Sequence, residues 1–362
     1  MKIVILGLEG ARDGAGHNDS ALRWRALIQA LARRGHRVVA VERGAALVAP
    51  PVPPPGVEWL RYEQWGEVAA TAARHADEAG LVLALAQGPD GVAAAVLARE
   101  SRAERRALYD PDAAESLTAL VRGDAPGHLP GDGQGGVDLA GFDLVLASGG
   151  GPALDLYRQR ARAAAVAPLY PWIVPDLHHP ADARTAYLAD LACVAPPLGA
   201  AQAGMERFFL SVARRLPRRR FLLSGGDPPD TLDVPPNLRT LPALDHTERG
   251  AMLASATLTL ALARDDERAI GWFPSDRLFE AAACGVPIVA DRWEGLDAFF
   301  EPGREILVAN DTDDVTTGLM LPRAHLAELG RRARQRVLSE HSAERRVQEL
   351  RSLLDLTGGG DD

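Results

Sequence analysis

The sequence predicts an α/β protein with two doubly wound domains. Apolar segments of strand length alternate with amphipathic segments of helix length in two successive series, and this alternation is typical of a parallel sheet covered by helices. The length of 362 residues also suits two domains at roughly 150 residues each. A segment rich in proline, residues 171–182, separates the two series and is typical of a connection between domains.

We therefore predict a first domain over residues 1–170, completed by a C-terminal helix at 342–357. Its first helix has apolar residues at helical spacing between Ser20, a favourable N-cap, and Gly35. Residues 49–56 and 123–136 are rich in proline or glycine and are predicted as surface loops. The predicted strands are Lys2–Leu6, Arg37–Val41, Leu81–Ala86, Arg106–Tyr109 and Phe142–Ala147, and the further helices are Glu67–Glu78, Val92–Arg102 and Ala113–Val121.

The second predicted domain covers residues 171–341 and repeats the pattern. The C-terminal segment, residues 323–356, is helical in pattern with alternating charges, and we expect it to strap the two domains together. The predicted strands are Leu188–Val194, Phe221–Leu223, Thr257–Leu262, Ile288–Ala290 and Ile306–Val308, and the predicted helices are Ala203–Leu216, Thr247–Ala254 and Asp276–Ala283.

Composition and charge exclude several classes of protein. Hydrophobic residues make up 47% and charged residues 25%, which is typical of a globular chain, and no apolar run approaches the roughly 18 residues that span a bilayer. The N-terminus lacks the pattern of a signal peptide, so we expect a cytoplasmic protein. The formal net charge of −9 argues against nonspecific nucleic-acid binding.

The scarcity of lysine and cysteine narrows the chemistry further. Lys2 is the single lysine and lies in the first predicted strand, so a Schiff base or a phosphate-loop lysine has no candidate. Any anion must therefore be bound by arginine or by backbone amides. Cys193 and Cys284 lie far apart beside small apolar residues and are predicted to be buried free thiols.

Two doubly wound domains that face one another would place the carboxyl ends of both sheets at a common cleft, where we expect the active site. In the first domain, residues 7–18 read GLEGARDGAGHN, and the glycines would let the backbone approach a ligand. The pattern is not the dinucleotide fingerprint, although Glu42 lies where a ribose-binding acid would stand. An NAD(P)-dependent oxidoreductase therefore remains an alternative.

His17 in this loop is a candidate general base, because an imidazole with an ordinary pKa of about 6.5 can remove a hydroxyl proton. Its carboxylate partner would be Asp110 or Asp112, which follow a predicted strand of the same sheet. The alternatives are a loop histidine without a role and an Asp112 that merely caps the helix at Ala113. The neighbouring Gly14 and Gly16 are predicted to contact the acceptor or the sugar.

Gly149 and Gly150 stand between a strand and a helix, so their amides are candidates for contacting the acceptor or a sugar. A plain tight turn would have the same sequence.

The strongest signal is the predicted helix that starts at Ser275. Ser275 is a good N-cap, and the first-turn amides at Asp276 and Arg277 would form an anion site without lysine. Glu280 falls about 1.5 turns into the helix, where it could bind a sugar diol. The alternative pairs Glu280 with Arg277 on a solvated face. The small apolar residues 281–284 favour a buried helix whose carboxylate needs a partner.

The run PSDRLFEAAACGVPIVADRWEGLDAFFEPGREILVAND, residues 274–311, resembles the signature of the CgeB-type glycosyltransferases, a branch of the two-domain GT-B enzymes that use sugar nucleotides. The segments MKIVILGL, LYDPDAAESL and FDLVLASGGGPAL recur in the order of that family, and the resemblance covers most of the chain. It implies two facing Rossmann-like domains. It also implies that the second domain holds the nucleotide, with Glu280 on the ribose, Ser275 at the phosphates and Arg264 supplying positive charge. Gly225 and Gly226 complete the predicted donor-binding residues.

The sequence departs from that family at two places. Related retaining enzymes carry a glutamate eight positions before the ribose glutamate, and here that place is Trp272, which we expect to contact the sugar or acceptor. Residues 197–201 read PLGAA where the family usually offers Asp-Arg. The stereochemistry therefore stays open: inversion would use His17 as base, whereas in retention the leaving diphosphate takes the proton.

The resulting expectation is a glycosyltransferase, acting on hexosyl donors, that moves a sugar from a UDP, dTDP or GDP sugar to a hydroxyl or amine of a small molecule or glycan. No metal is expected, because Arg264 and helix amides would neutralise the diphosphate. The further alternative is a noncatalytic spore or envelope component that keeps the fold.

Overall fold

The computed structural model describes residues 1–10, 19–44, 54–133, 135–195, 200–225 and 233–354. The strands in these ranges are β1 Lys2–Glu9, β2 Arg37–Arg43, β3 Val57–Tyr62, β4 Leu81–Leu85, β5 Arg106–Asp110, β6 Leu144–Ala147, β7 Val166–Pro168, β8 Ala189–Val194, β9 Phe221–Ser224, β10 Leu238–Leu241, β11 Ala256–Ala261, β12 Ile288–Asp291 and β13 Leu307–Ala309. The helices are α1 Asp19–Arg33, α2 Trp65–Asp77, α3 Gly91–Glu100, α4 Ala113–Arg122, α5 Asp155–Ala161, α6 Gln202–Met205, α7 Ser211–Arg215, α8 His246–Ala254, α9 Asp265–Ile270, α10 Asp276–Ala283, α11 Thr312–Gly318, α12 Arg323–Glu340 and α13 Ala343–Leu353.

The chain divides into two compact units. In the described ranges, the first unit holds the residues up to 170 together with those from 343 onward, and the second holds residues 171–342. Each unit contains one parallel sheet with helices between its strands, which confirms the predicted α/β class. Within the described ranges, no helix combines the length and apolarity that crossing a membrane requires.

The first unit is built on a seven-stranded parallel sheet in the order β3-β2-β1-β4-β5-β6-β7. The chain starts at β1, moves outward to β3, and then continues on the other side of β1 with β4, so the switch point lies between β1 and β4. Helix α1 buries Trp24, whose ring packs edge-on against Tyr109 at the end of β5. Both faces of the sheet are covered, as the continuous apolar runs of its strands predict.

Helix α13 packs on α1 within this unit. Its Arg346 is almost fully buried, donates to the carbonyl of Tyr170 at 2.7 Å and bonds the Glu349 carboxylate at 2.9 Å. At the surface, Glu344 accepts from Arg33 of α1. A buried arginine that is hydrogen-bonded on both sides fixes the orientation of the helix.

The second unit contains a six-stranded parallel sheet in the order β10-β9-β8-β11-β12-β13, with its switch point between β8 and β11. Its core includes Phe209, which packs edge-on against Phe221. Phe209 lies in a π-helical turn, Glu206–Leu210, that joins α6 to α7 in one continuous helical run. Pro171 begins the segment that precedes this sheet, and its Ile173 N–H donates to the His341 carbonyl.

The strands that the sequence analysis missed are β3, β7 and β10, each at an edge of its sheet. An edge strand is covered on fewer sides, so it does not need the continuous apolar run that identifies a central parallel strand. The short helices α5, α9 and α11 were missed as well, because helices of six or seven residues barely complete two turns of the apolar period.

Two boundary predictions are wrong. Helix α1 begins at Asp19, so Ser20 lies inside its first turn and is not the N-cap. The predicted C-terminal helix is two helices, because the chain leaves helical geometry at His341 and Ser342. Helix α12 belongs to the second unit and α13 to the first.

Close packing of α12 explains Gly330. A Cβ built there would lie 2.4 Å from the Gly285 carbonyl oxygen, and this atom belongs to rigid backbone. We expect Gly330→Ala to lower the free energy of unfolding by about 1–3 kcal/mol, the usual cost of overpacking. Thermal unfolding monitored by circular dichroism measures the effect.

The control is Gly66→Ala in the first turn of α2, where an added Cβ meets no atom within 4 Å. This variant should leave the unfolding temperature unchanged or raise it, because alanine has the better helix propensity. Equal melting of both variants would contradict the packing argument.

Candidate functional site

The helix predicted from the sequence as a ligand site is present at its predicted bounds. Helix α10 runs between the parallel strands β11 and β12, so its N-terminus lies at the carboxyl edge of the second sheet. Ser275 is the N-cap, and its hydroxyl accepts from the Leu278 N–H at 3.3 Å. Helix α10 is buried along one face, where Phe279 stacks on His341 and contacts Phe300. The helix therefore presents a fixed, positively polarised end.

Glu280 is buried and its carboxylate faces two cations or hydrogen-bond donors. Its Oε2 lies 3.2 Å from Nε of Arg249 in α8, and its Oε1 lies 3.7 Å from Nε2 of His178. The Val174 N–H donates to Nδ1 of His178, so the proton of a neutral ring resides on Nε2 and points at Glu280. The predicted need for a partner is thus met, although not by Arg277. The sequence analysis missed both Arg249 and His178, which lie far away along the chain.

Arg277, in the first turn of α10, differs from its neighbours. Its side chain is partly exposed, and in the described part of the chain it makes no hydrogen bond or ion pair. Burial raises the pKa of the Cys193 thiol near the carboxyl end of β8, and the positive charge of Arg277 acts against this shift. Helix α10 itself starts at the carboxyl edge of the sheet, where such sheets bind ligands. An arginine in this position at a helix N-terminus is suited to an anion.

Arg264 lies between β11 and α9 and is hydrogen-bonded to its own sequence neighbours. Its Nε donates to Asp266 Oδ1 at 3.0 Å, so its charge is balanced locally. Its N–H donates to the Glu267 carboxylate. Burial raises the pKa of Glu267 to about 7, although the hydrogen bond from the backbone N–H of Arg264 stabilises the charged form and lowers it. Beside it, Arg268 bonds Asp291 at the end of β12. The sequence-based assignment of Arg264 to the diphosphate would require it to leave Asp266.

Trp272 precedes α10 in a left-handed backbone conformation, with φ of 64°. Few non-glycine residues adopt this region, and it is held here by a hydrogen bond from the Trp272 N–H to the Glu294 carbonyl at 2.6 Å. The indole covers Gly295, where a Cβ would lie 2.4 Å from the ring. Gly295 must therefore stay a glycine, and the ring is fixed beside the N-terminus of α10.

Gly225 directly follows β9, with φ of 121°, and lies close to Ala195, which follows β8. It is thus at the carboxyl edge of the second sheet. Gly226, the other glycine predicted to bind the donor, lies outside the described residues.

The thiols are free and buried, as predicted. Burial raises the pKa of Cys193 and of Cys284 to about 12, so neither ionises near neutral pH.

In the first unit, the carboxyl end of β5 carries a buried polar network centred on Asp110. Its Oδ2 accepts the Tyr157 hydroxyl at 2.7 Å, and its Oδ1 accepts from the Asp112 N–H and lies 3.2 Å from Nε2 of His128. The same Nε2 is 2.9 Å from Oγ of Ser116. The sequence analysis identified Asp110 but missed His128, which lies in the segment predicted as a surface loop.

The pKa values of His128 and Tyr157, the two titratable partners of Asp110, are both raised. Burial lowers the pKa of His128, but the hydrogen bond to Asp110 and its charge outweigh this and raise it above the usual value. Burial raises the pKa of Tyr157 well above its usual value, and the Asp110 carboxylate adds to the shift. At neutral pH the tyrosine is therefore a permanent donor.

The predicted base and its loop, His17 with Gly14 and Gly16, lie outside the described residues. Asp112 is the N-cap of α4 by position, but its side chain makes no capping hydrogen bond. The alternative that Asp112 caps the helix at Ala113 thus holds for its position, while the capping hydrogen bond from its side chain is not formed.

The glycine turn after β6 lies at the same edge as Asp110, because the Ser148 N–H donates to the Asp110 carbonyl. A Cβ at Gly150 would lie 2.0 Å from the Tyr170 hydroxyl, so a larger residue would have to displace that side chain. Gly149 lies beside it in the same turn.

Glu42, the alternative ribose-binding acid, ends up between two arginines. Its carboxylate oxygens lie 3.2 Å from Arg25 and 3.1 Å from Arg61, and the side chain is buried. The two arginines therefore explain why a carboxylate is buried at this position, and no bound dinucleotide is needed to explain it.

The chain can be compared with known proteins. Residues 202–352 match the glycosyl transferase-like family. No curated protein matches the sequence. Among solved structures, sucrose-phosphate synthase from Thermosynechococcus elongatus is 16% identical with a TM-score of 0.66, and the match covers 98% of both chains.

Two further structures resemble the chain over nearly its whole length. HepE of Anabaena, in complex with UDP and glucose, is 15% identical with a TM-score of 0.64, over 98% of this chain and 99% of that one. A DNA-modifying β-glucosyltransferase is 10% identical with a TM-score of 0.61, over 98% and 100%. At these identities the likeness establishes the fold, which is the predicted GT-B fold.

Proposed function

We propose that this protein is a glycosyltransferase that moves a hexose from a nucleoside-diphosphate sugar to a hydroxyl or amine of a small molecule or glycan. In this proposal the second unit binds the donor and the first unit binds the acceptor. The match of residues 202–352 to the glycosyl transferase-like family supports it. The UDP and UDP-glucose bound in structural relatives also support the proposal, and they make UDP the first nucleotide to test.

The observation that carries the donor site is Arg277 at the N-terminus of α10. The capped helix end offers a partial positive charge, and the guanidinium has no ion-pair partner among the described residues. A diphosphate placed there would gain charge-assisted hydrogen bonds. Arg264 contributes less, because Asp266 already balances its charge. This arrangement would neutralise the diphosphate without a metal ion.

Glu280 would bind the ribose in the same proposal. A carboxylate accepts about four hydrogen bonds, so contacts with Arg249 and His178 do not by themselves exhaust it. These two partners would fix the orientation of the carboxylate. Trp272 would line the place of the sugar, since its ring is held rigidly beside the helix end.

Calorimetric titration with UDP tests the donor site, with dTDP and GDP as competitors for base preference. We expect Arg277→Gln to weaken UDP binding roughly 10- to 150-fold, since a hydrogen bond to a charged group is worth about 1.5–3 kcal/mol. Unchanged affinity would remove Arg277 from the site. Absence of UDP, dTDP and GDP binding by the unaltered protein would overturn the donor proposal itself.

The matched control is Arg304→Gln, which removes an exposed arginine of the same unit that pairs only with Glu301 among the described side chains. It should bind UDP normally. Repeating the titration in EDTA tests the metal-free arrangement, because a bridging metal would make binding sensitive to the chelator.

A further inference from the structure

The Asp110 network fixes which nitrogen of His128 carries its proton. The Tyr157 hydroxyl donates to Oδ2 of Asp110 and the Asp112 N–H donates to Oδ1, so this carboxylate acts as an acceptor. Because a carboxylate has no proton to donate, Nε2 of His128, which lies 3.2 Å from Oδ1, must be the donor of that contact. The Ser116 oxygen, 2.9 Å from the same nitrogen, then accepts from it as well. In the neutral ring, the proton therefore resides on Nε2, and Nδ1 holds the basic lone pair.

Nδ1 faces away from this network. In the described part of the chain it makes no hydrogen bond, and it is absent from the buried polar atoms that lack a partner. The side chain as a whole is 19% exposed. The histidine thus combines a buried, anchored nitrogen with a basic nitrogen that a ligand can reach.

The position of the ring is that of a ligand site in a doubly wound sheet. Asp110 ends β5, and the glycine turn at 148–151 follows the neighbouring strand β6. Ligands of such sheets bind outside the carboxyl ends of the strands. The carboxylate that anchors His128 is wholly buried, as expected of a positioning group and not of a surface ion pair.

We propose that His128 is the general base that removes the proton of the acceptor nucleophile, held in position by Asp110, Ser116 and Tyr157. This inference rests on the proposed function and adds a residue of the reaction to it. Nδ1 takes the proton from the acceptor hydroxyl or amine as the acceptor atom bonds to the anomeric carbon. The bond from that carbon to the diphosphate breaks, and its electron pair leaves with the nucleoside diphosphate. The proton then passes from His128 to water.

The same residues do not form a hydrolytic triad. In a triad the carboxylate and the nucleophile bind different ring nitrogens. Here Asp110 and Ser116 both lie against Nε2, and Ser116 is fully buried. Ser116 is a positioning residue for the ring.

The charges around the ring favour its protonated form. Asp110 on β5, Asp112 before α4 and Glu115 in α4 all raise the pKa of His128, and only burial opposes them. Tyr157 on α5 stays neutral and adds no charge. A base must be unprotonated to act, so kcat/KM should rise with pH through a pKa above the usual histidine value.

The test is His128→Gln, assayed with the nucleotide sugar and acceptor that support turnover by the unaltered protein. We expect kcat/KM to fall about 10²- to 10⁴-fold, the usual contribution of a general base, and the acidic limb of the pH profile to disappear. The UDP affinity should stay within about twofold of the unaltered protein, since no donor contact changes. Full turnover by a folded His128→Gln protein would overturn the proposal.

The matched control is His75→Gln, which alters a partly exposed histidine of the same unit that lies 3.9 Å from Glu58. It should keep both turnover and pH profile. A second measurement uses only the unaltered protein, in case His128→Gln fails to fold. A base supplied by the protein goes with in-line displacement, so the product should have the inverted anomeric configuration, read by NMR. Retention of configuration would overturn the role of His128 while leaving UDP binding, and hence the proposed function, intact.

Discussion

Replacing Glu280 with alanine is expected to destabilise the second unit by about 3–5 kcal/mol, the usual cost of removing one partner from a buried ion pair. Arg249 and His178 both face this carboxylate from inside the unit. Without it, their polar groups would stay buried beside a small cavity. Such a loss corresponds to roughly 6–20 °C in unfolding temperature for a unit of this size. Calorimetric or circular dichroism melting measures it.

The companion variant Arg249→Met with Glu280→Gln removes both charges and keeps the volume. We expect it to recover much of the lost stability, because a buried pair costs less to replace whole than to break. A double variant as unstable as the single one would show that the pair is not what stabilises this part of the structure.

Comparison of UDP with 2′-deoxy-UDP separates a structural role of Glu280 from ribose binding. If the carboxylate also accepts the ribose hydroxyls, UDP should bind roughly 10-fold or more tightly than its deoxy analogue. In Glu280→Gln that preference should shrink. Equal affinities in the unaltered protein would remove the ribose from Glu280 and leave only the ion pair.

The sequence predicted α10 at its true bounds because the signals that define it are local. Ser275 is a strong N-cap, and small apolar residues cover the buried face. Its partners could not be predicted in the same way. Arg249 lies in another helix and His178 in the proline-rich segment, and only the folded sheet brings them to Glu280. Periodicity carries no information about such contacts.

His128 is a second site residue that local sequence patterns could not identify. Glycines and prolines around it predict a loop with little to pack, and the segment is indeed not helical or extended over most of its length. The next residue, Leu129, is nevertheless buried, and it anchors the loop so that His128 reaches Asp110. A single buried leucine in a glycine-rich segment was the available signal.

Asp110→Asn is expected to have the largest effect in the first unit. The buried carboxylate accepts from Tyr157, from the Asp112 N–H and from His128. An asparagine turns one of the two accepting oxygens into a donor that faces other donors. The unit should lose about 3 kcal/mol, because hydrogen bonds to a charged group contribute about 1.5–3 kcal/mol and a buried unmatched donor adds its own cost.

The loss should also depend on pH, with a sign that follows from the raised pKa of His128. A histidine whose pKa is higher in the folded state stabilises the fold fully below its unfolded pKa of about 6.5. That contribution disappears as the pH rises through the folded pKa. Asp110→Asn removes the carboxylate that raises this pKa. The stability gap between the two proteins should therefore be widest near pH 5.5 and narrower near pH 8.5.

Thermal unfolding across this pH range measures the gap, with Asp155→Asn as the matched control. Asp155 is an exposed carboxylate of α5 that pairs with Arg158 on the same helix, so its loss should change stability by less than about 1 kcal/mol. Its gap to the unaltered protein should stay nearly constant between the two pH values. If the gap for Asp110→Asn widened as the pH rose, protonated His128 would not be held by Asp110, and its tautomer would no longer be fixed by the network.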